Sequence, residues 1–182
     1  MNTVSEQNQN DVTNSELGKK TPYPQSYSAD YLCPISREGK RLEIGIAPDA
    51  PPFVGFDCWN HYEVSWLNEK GKPIVALAEI TYDCNSPFIV ESKSLKLYFN
   101  SFNQFKFKST NDVIQTIQKD LEPRLHSAVN VTLHPLNSAQ IPIMKTAFEG
   151  MCLDELDIEC STYNTDPNFL HTENTLVKES VY

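Results

Sequence analysis

The sequence predicts an α+β fold in which two helices cover one face of an antiparallel four-stranded sheet. Three observations support this fold class. Two neighbouring segments alternate apolar and polar residues around a turn, two segments with helical spacing follow, and two more alternating segments come last. The predicted order is therefore strand, strand, helix, helix, strand, strand, which is typical of helices gathered on one side of a sheet.

The first two strands are predicted to form a hairpin. Tyr62, Val64 and Trp66 alternate with polar residues, as expected for a strand with one buried face. The turn Asn68–Gly71 then leads into a second strand, Pro73–Tyr82, because glycine accepts a positive φ at little cost. The second strand has apolar residues on both faces, with Ile74, Ala76, Ala78 and Ile80 on one and Val75 and Leu77 on the other. A strand of this kind is expected at the centre of a sheet.

The next two elements have the spacing of amphipathic helices. The first is predicted over Ser92–Gln104, with Ser92 as the N-cap. The second is predicted to begin at Ser109 or Thr110 and to end before Pro123, since the residue ahead of a proline disfavours the helical conformation. Their apolar stripes are Leu95, Tyr98, Phe99 and Phe102 in the first helix and Val113, Ile114, Ile117 and Leu121 in the second.

Two further strands complete the predicted sheet. The third contains Val129, Val131 and Leu133 and stops at Pro135. After a long connection over residues 136–150, the fourth is expected where Leu156, Ile158 and Cys160 alternate with Asp157, Glu159 and Ser161.

The flanking segments lack a clear period. Residues 1–20 are polar and are expected to be disordered. Residues 21–52 contain six prolines and form a lead-in that is expected to run over the surface and to pack through its tyrosines and aliphatic residues. The predicted module thus covers residues 21–163, with its core in 58–163, and residues 164–182 are expected to be a linker toward a second module.

Composition argues against several classes of function. The formal net charge of −9 argues against a nucleic-acid or anionic-membrane surface, since phosphate binding requires an excess of Lys and Arg. No apolar run approaches the roughly 18 residues of a membrane span, and the first residues are too polar for a signal peptide. The five cysteines form no C-x-x-C pair, so we expect reduced thiols and a cytoplasmic protein.

Glu91 is the strongest candidate for a binding residue. It stands directly ahead of the first predicted helix, where free amides and the helix dipole favour a carboxylate. A carboxylate held in place can accept two parallel hydrogen bonds from a planar N–H/NH2 edge such as that of guanine. The alternative is that Glu91 only completes the helix start and that the aromatic residues behind it are core.

The residues around Glu91 resemble a known family. Glu91-Ser92-Lys93-Ser94-Leu95-Lys96-Leu97-Tyr98 is similar to the signature of the NADPH-dependent 7-cyano-7-deazaguanine reductases, the nitrile reductases of queuosine biosynthesis, a tRNA modification pathway. Three further segments resemble the amino-terminal half of the two-module form: Trp59–Asn68, Gly71–Pro73 and Asn100–Gln104. The resemblance extends from about Leu17 to the end of the chain.

This resemblance implies a tunnelling fold (T-fold) module whose sheet joins other modules edge to edge, as well as a homo-oligomer. It implies that Val90, Glu91 and Ser92 contact 7-cyano-7-deazaguanine and that Ser92 and Lys93 contact NADPH. In the family a cysteine forms a thioimide with the nitrile, two NADPH molecules reduce it to the amine, and an aspartate supplies a proton. The cysteine and the aspartate belong to a second T-fold module, so this chain alone is expected to be inactive.

Cys33 and the histidines are the candidates within this chain for a nucleophile or a metal site. Cys33 is followed by Pro34 and Ile35 but by no Gln-Pro-Asp, so it is not expected to be the nucleophile. The four histidines are scattered and predict no metal site of the kind used by the pterin enzymes that share the T-fold. No G-x-G-x-x-G loop is present. The rival hypothesis is a non-catalytic T-fold binding or scaffold module without a reductase half.

Overall fold

The computed structural model describes residues 22–47, 50–137, 154–164, 166 and 168. The chain divides into two units, Met1–Ile143 and Met144–Tyr182. The predicted disordered segment, residues 1–20, lies outside the described residues, as do most of the predicted linker 164–182 and most of the connection 136–150. Within the described residues, no helix has the length and apolar character needed to cross a membrane.

The first unit confirms the α+β class. A three-stranded antiparallel sheet has the order β2-β3-β5, and a separate two-stranded ribbon pairs β1 with β4. In chain order the elements are a 3-10 helix Ala29–Tyr31, β1 Pro34–Ser36, α1 Glu38–Glu43, β2 Phe56–Leu67, β3 Pro73–Asp83, β4 Phe88–Val90, α2 Ser92–Asn100, α3 Thr110–Leu125 and β5 Val129–Pro135.

The core lies between one face of the sheet and the helices α2 and α3. Strand β3 is central, as predicted, and its residues Ala76, Ala78 and Ile80 are buried. The predicted stripe of α2 is buried as well, and three of the four stripe residues of α3 are, while Ile114 is half-buried. The alternation of β5 is confirmed, since Val129, Val131 and Leu133 all belong to this core.

Strand β2 departs from the predicted alternation. One extra residue between His61 and Val64 shifts the register against β3, which is the pattern of a β-bulge. After the bulge, the even-numbered residues Val64 and Trp66 are buried. Before the bulge, the odd-numbered residues face the helices instead. The His61 ring therefore stacks on Phe99, with 4.5 Å between the ring centroids. The predicted inward position of Tyr62 is therefore wrong, and its side chain is 72% exposed.

Both main helices end at positions that differ from the prediction. Helix α2 stops at Asn100 rather than Gln104, where the Ser101 hydroxyl donates to the carbonyl of Tyr98 and the chain continues in turns. Helix α3 runs through Pro123 to Leu125. A proline near a helix end removes only one backbone donor, and the complete burial of Leu125 in the core favours the extra residues.

The predicted fourth strand is wrong. The described residues 154–164 contain no β-strand, and Leu156 and Ile158 are exposed. Alternation states only which residues would share a face, whereas a strand also needs a partner that satisfies its amides and carbonyls. The four-stranded sheet is thus replaced by a three-stranded sheet and the small ribbon formed with the lead-in.

The lead-in packs against the core, as expected, and a buried carboxylate holds it there. Asp120 of α3 is 7% exposed and accepts hydrogen bonds from the hydroxyls of Tyr27 at 2.6 Å and Tyr98 at 2.7 Å. Burial, together with the Asp120 charge, raises the pKa of both tyrosines, so both remain donors. The Tyr27 ring also lies edge-on to Phe102, with 5.4 Å between centroids. The lead-in is therefore attached to both main helices.

The position of His61 predicts a pH dependence of stability. Burial lowers the pKa of His61, with Lys96 also lowering it and Glu63 opposing the shift. A base whose pKa is lower in the folded protein takes up its proton more readily when unfolded, so its contribution to stability is present above about pH 6.5 and is lost as the pH falls through the window below that value.

We therefore expect His61→Phe, which keeps an aromatic ring on Phe99 but does not titrate, to lose less stability than the wild type between about pH 7.5 and 5.5. Denaturant titrations at several pH values measure this difference. The two proteins should run parallel above about pH 7.5. Equal losses in the acidic window would contradict the buried, neutral imidazole.

Candidate functional site

The candidate site lies at the junction between β4 and α2, where Glu91 is the N-cap of the helix. Its backbone is extended, and its carboxylate accepts hydrogen bonds from the amides of Lys93 (Oε1, 2.8 Å) and Ser94 (Oε2, 2.6 Å). The prediction that Ser92 is the N-cap is therefore wrong. Glutamate takes this role because its side chain is long enough to bring both oxygens over the first turn.

The Glu91 side chain is nearly buried, with 4% of the residue exposed. The structure thus confirms that Glu91 completes the start of the helix. This role does not use up the carboxylate, since two carboxylate oxygens offer about four acceptor positions and the helix occupies two of them.

The main chain of Glu91 is fixed on both sides. Its amide donates to the Cys33 carbonyl at 2.9 Å, and its carbonyl accepts from the Leu95 amide at 3.0 Å and from the Ser94 hydroxyl at 2.7 Å. The same Ser94 hydroxyl accepts from the Cys33 amide at 3.0 Å. Ser94 and the main chain of Cys33 were missed by the sequence analysis, because a contact between residues 61 positions apart leaves no local pattern.

The other predicted site residues surround Glu91 and differ in their exposure. Val90 is buried, and its amide lies 3.5 Å from the Tyr82 hydroxyl. Ser92 is exposed and Lys93 is half-exposed, so both present polar groups toward solvent at the amino end of α2. The four predicted residues are consecutive in the chain, with the apolar one buried and the cationic one half-exposed.

Arg37 fastens the far end of the β1–β4 ribbon. Its backbone amide donates to the Pro87 carbonyl at 3.0 Å, and its Nε donates to the Phe88 carbonyl at 3.3 Å. Its guanidinium donates to the Ser86 hydroxyl at 3.3 Å and forms an ion pair with Asp57 of β2. The sequence analysis gave Arg37 no role, since no spacing predicts which carboxylate an arginine will meet.

The described cysteines differ in their exposure. Cys58 and Cys160 are exposed, Cys84 is buried, and Cys152 lies outside the described residues. Although the Cys58 side chain is exposed, partial desolvation raises the pKa of its thiol and Glu79 adds to the effect, which disfavours the reactive thiolate. The described residues contain no group of three or more His, Cys, Asp or Glu side chains that could hold a metal ion.

Cys33 lies closer to the site than its place in the sequence suggested, because β1 pairs with β4 next to Glu91. Its side chain is half-buried. A nitrile-attacking thiol also needs an acid that protonates the nitrile nitrogen. The nearby carboxylate of Glu91 accepts two amide hydrogen bonds and so is an acceptor in this arrangement.

Comparison with known families connects this geometry with a named group of proteins. A family model described as nitrile reductase, 7-cyano-7-deazaguanine-reductase N-term, matches residues 23–133, which include β1, the whole three-stranded sheet up to Leu133, and Glu91 with its helix. The chain belongs to this nitrile reductase family.

Individual members of the nitrile reductase family agree. A Legionella pneumophila (strain Lens) protein named NADPH-dependent 7-cyano-7-deazaguanine reductase is 53% identical over 174 residues, covering 96% of this chain and 61% of the relative. Proteins of the same name from Azoarcus sp. (strain BH72) and Coxiella burnetii (strain Dugway 5J108-111) are 46% and 44% identical, each over 92% of this chain. The chain thus spans about 60% of the length of these relatives.

The capping geometry predicts how the nitrile reductase module responds to changes at Glu91. Glu91→Gln keeps one acceptor oxygen but turns an NH2 group toward the second amide, whereas Glu91→Ala leaves both amides without a side-chain acceptor. We expect losses in the free energy of unfolding of about 1–2 kcal/mol for Gln and about 2–3 kcal/mol for Ala. Denaturant titration measures both.

The N-cap of the other helix provides a reference. The Ser109 hydroxyl accepts from the Asp112 amide at 3.1 Å at an exposed position, so Ser109→Ala should cost only about 1 kcal/mol. If Glu91→Ala cost no more than Ser109→Ala, the carboxylate would not be the buried double cap described above.

Proposed function

We propose that this chain is the amino-terminal module of a two-module NADPH-dependent reductase that converts 7-cyano-7-deazaguanine to 7-aminomethyl-7-deazaguanine. The observation that carries the proposal is the match of the nitrile reductase family model over the residues that build the Glu91 site. The names of the relatives supply the substrate and the cofactor. A cytoplasmic location is part of the proposal, since the five cysteines form no C-x-x-C pair and are expected to be reduced thiols.

In the proposed site Val90, Glu91 and Ser92 contact the deazaguanine. Glu91 is the anchor, because a carboxylate with two unoccupied acceptor positions matches the N–H/NH2 edge of the base. Its two bonds to the helix amides hold the oxygens in one orientation, so little conformational entropy would be lost on binding. Val90 is buried beside Glu91 and would contribute apolar contact with the base.

Ser92 and Lys93 are proposed to contact NADPH. They lie at the amino end of α2, and their side chains are the more exposed ones of the site. A lysine can pair with a phosphate dianion as a point charge on a flexible stem.

The remaining parts of the reaction are proposed to come from a second T-fold module. That module would carry the cysteine that forms the thioimide and the aspartate that protonates it, and it would pair with this module edge to edge in a homo-oligomer. The sheet topology is consistent with such pairing, since β2 and β5 are the edge strands of the three-stranded sheet. Edge strands leave amides and carbonyls available to a further strand. The rival is a binding or scaffold module without catalytic function.

The substrate role of Glu91 is tested by affinity, since its capping role already predicts a loss of stability in either case. In the complete two-module protein, Glu91→Gln should weaken the binding of 7-cyano-7-deazaguanine by about two orders of magnitude, because a charge-assisted pair is replaced by a donor that meets a donor. Isothermal calorimetry measures this. Ser109→Ala is the control for destabilisation and should bind normally, whereas unchanged affinity in Glu91→Gln would assign Glu91 to the helix alone.

The division of labour between modules is tested by covalent chemistry. Because Cys33 is followed by no Gln-Pro-Asp and the nucleophile is proposed to belong to the second module, incubation of this chain with 7-cyano-7-deazaguanine should add no mass. Intact-mass spectrometry checks this, with iodoacetamide as a positive control for thiol labelling. A substrate adduct that disappears in Cys33→Ala would move the nucleophile into this module.

A further inference from the structure

A pair of contacts links the lead-in to the proposed binding site through one hydroxyl group. Ser94 has no exposed surface, and its hydroxyl donates to the Glu91 carbonyl at 2.7 Å while accepting from the Cys33 amide at 3.0 Å. The Cys33 carbonyl in turn accepts from the Glu91 amide at 2.9 Å. The amide and carbonyl of Cys33 are therefore both bonded to the turn that carries the Glu91 carboxylate.

We propose that Ser94 is a positioning residue, whose hydroxyl fixes the lead-in against the β4–α2 junction and thereby holds Glu91 in the orientation that binds a ligand. The identity of the ligand in this inference rests on the proposed function. The claim that Ser94 holds the Glu91 turn does not. Ser94 bonds to the carboxylate of Glu91 through its amide and to the carbonyl of Glu91 through its hydroxyl. It acts through Glu91.

The contacts at the other end of the ribbon explain why Ser94 is the sensitive point. Residues Pro34, Ile35 and Ser36 pair with Val90, Ile89 and Phe88. Beyond them Arg37 is tied to Ser86, Phe88 and Asp57. The far end is thus held by several contacts of Arg37, whereas at the Glu91 end one hydroxyl, that of Ser94, bonds to both the Cys33 amide and the Glu91 carbonyl.

Helix α2 provides a matched control in Ser101. It is also buried, at 3% exposure, and its hydroxyl also donates to the carbonyl three residues earlier, that of Tyr98 at 2.6 Å. Ser101 lies at the opposite end of α2 from Glu91. Replacing either serine by alanine removes one buried hydroxyl and one such bond, but only Ser94→Ala also removes the acceptor of the lead-in.

The experiment measures amide hydrogen exchange in the full chain, by mass spectrometry with overlapping peptides or by NMR. In Ser94→Ala the amides of Cys33, Glu91 and Lys93 should exchange about tenfold faster or more, since the loss of a buried bond shifts local opening by about 1.4 kcal/mol per factor of ten. In Ser101→Ala the same three amides should exchange at the wild-type rate, although the melting temperatures of the two variants should be similar. Unchanged exchange in Ser94→Ala, or equal acceleration in both variants, would overturn the inference.

Calorimetry with 7-cyano-7-deazaguanine in the complete two-module protein adds the functional readout. Ser94→Ala should bind about fivefold to tenfold more weakly, because the apparent affinity falls with the population of the binding-competent arrangement, and Ser101→Ala should bind as the wild type does. Faster exchange in Ser94→Ala with undiminished affinity would overturn the positioning role. If the wild type itself does not bind the nitrile, the proposed function fails, while the exchange experiment still decides whether Ser94 holds the Glu91 turn.

Discussion

The carboxylate of Glu91 is the interaction on which the arrangement of this module depends. Glu91 directly follows β4, and its carboxylate caps α2. Its backbone amide donates a hydrogen bond to the lead-in at Cys33. Each connection satisfies a backbone group that would otherwise be buried without a partner, and such groups are costly. Glu91 therefore has a structural role whether or not it binds a ligand, so a loss of stability at this position does not argue against the proposed role in recognition.

Much of the fold could be predicted from the sequence because it depends on local periodicity. The stripe of α2, the central position of β3 and the alternation of β5 follow from which residues share a face, and the structure confirms them. The start of α3 is confirmed for a similar reason, since the Ser109 cap is a local contact. Where sequence analysis succeeded, the deciding interaction lay within a few residues.

The wrong predictions arose where contacts between residues far apart in the sequence decide the structure. The bulge in β2 depends on how that strand meets β3, so Tyr62 was placed on the wrong face although the pattern was regular. The fourth strand had alternation but no partner, and α3 passes Pro123 because Leu125 is fully buried. In each case a tertiary contact overrode a local preference.

The sequence pointed to the residues around Glu91 as a candidate site, but it did not predict the contacts that hold them. The residues around Glu91 were found through their resemblance to a family, which conveys identity without geometry. The capping bonds of Glu91, the Ser94 hydroxyl and the ion pair of Arg37 with Asp57 became visible only in three dimensions. The difference matters because the resemblance names residues near the ligand, whereas the structure shows what keeps them in place.

The bonds between the lead-in and the Glu91 turn have a consequence for sequence variation. At position 33 they involve only the backbone amide and carbonyl, so they are indifferent to the identity of the side chain. Most amino acids could replace Cys33 without breaking them, and proline is the exception because it lacks the N–H group. Homologous chains could therefore share this connection while differing at position 33, and a comparison of side chains alone would overlook it.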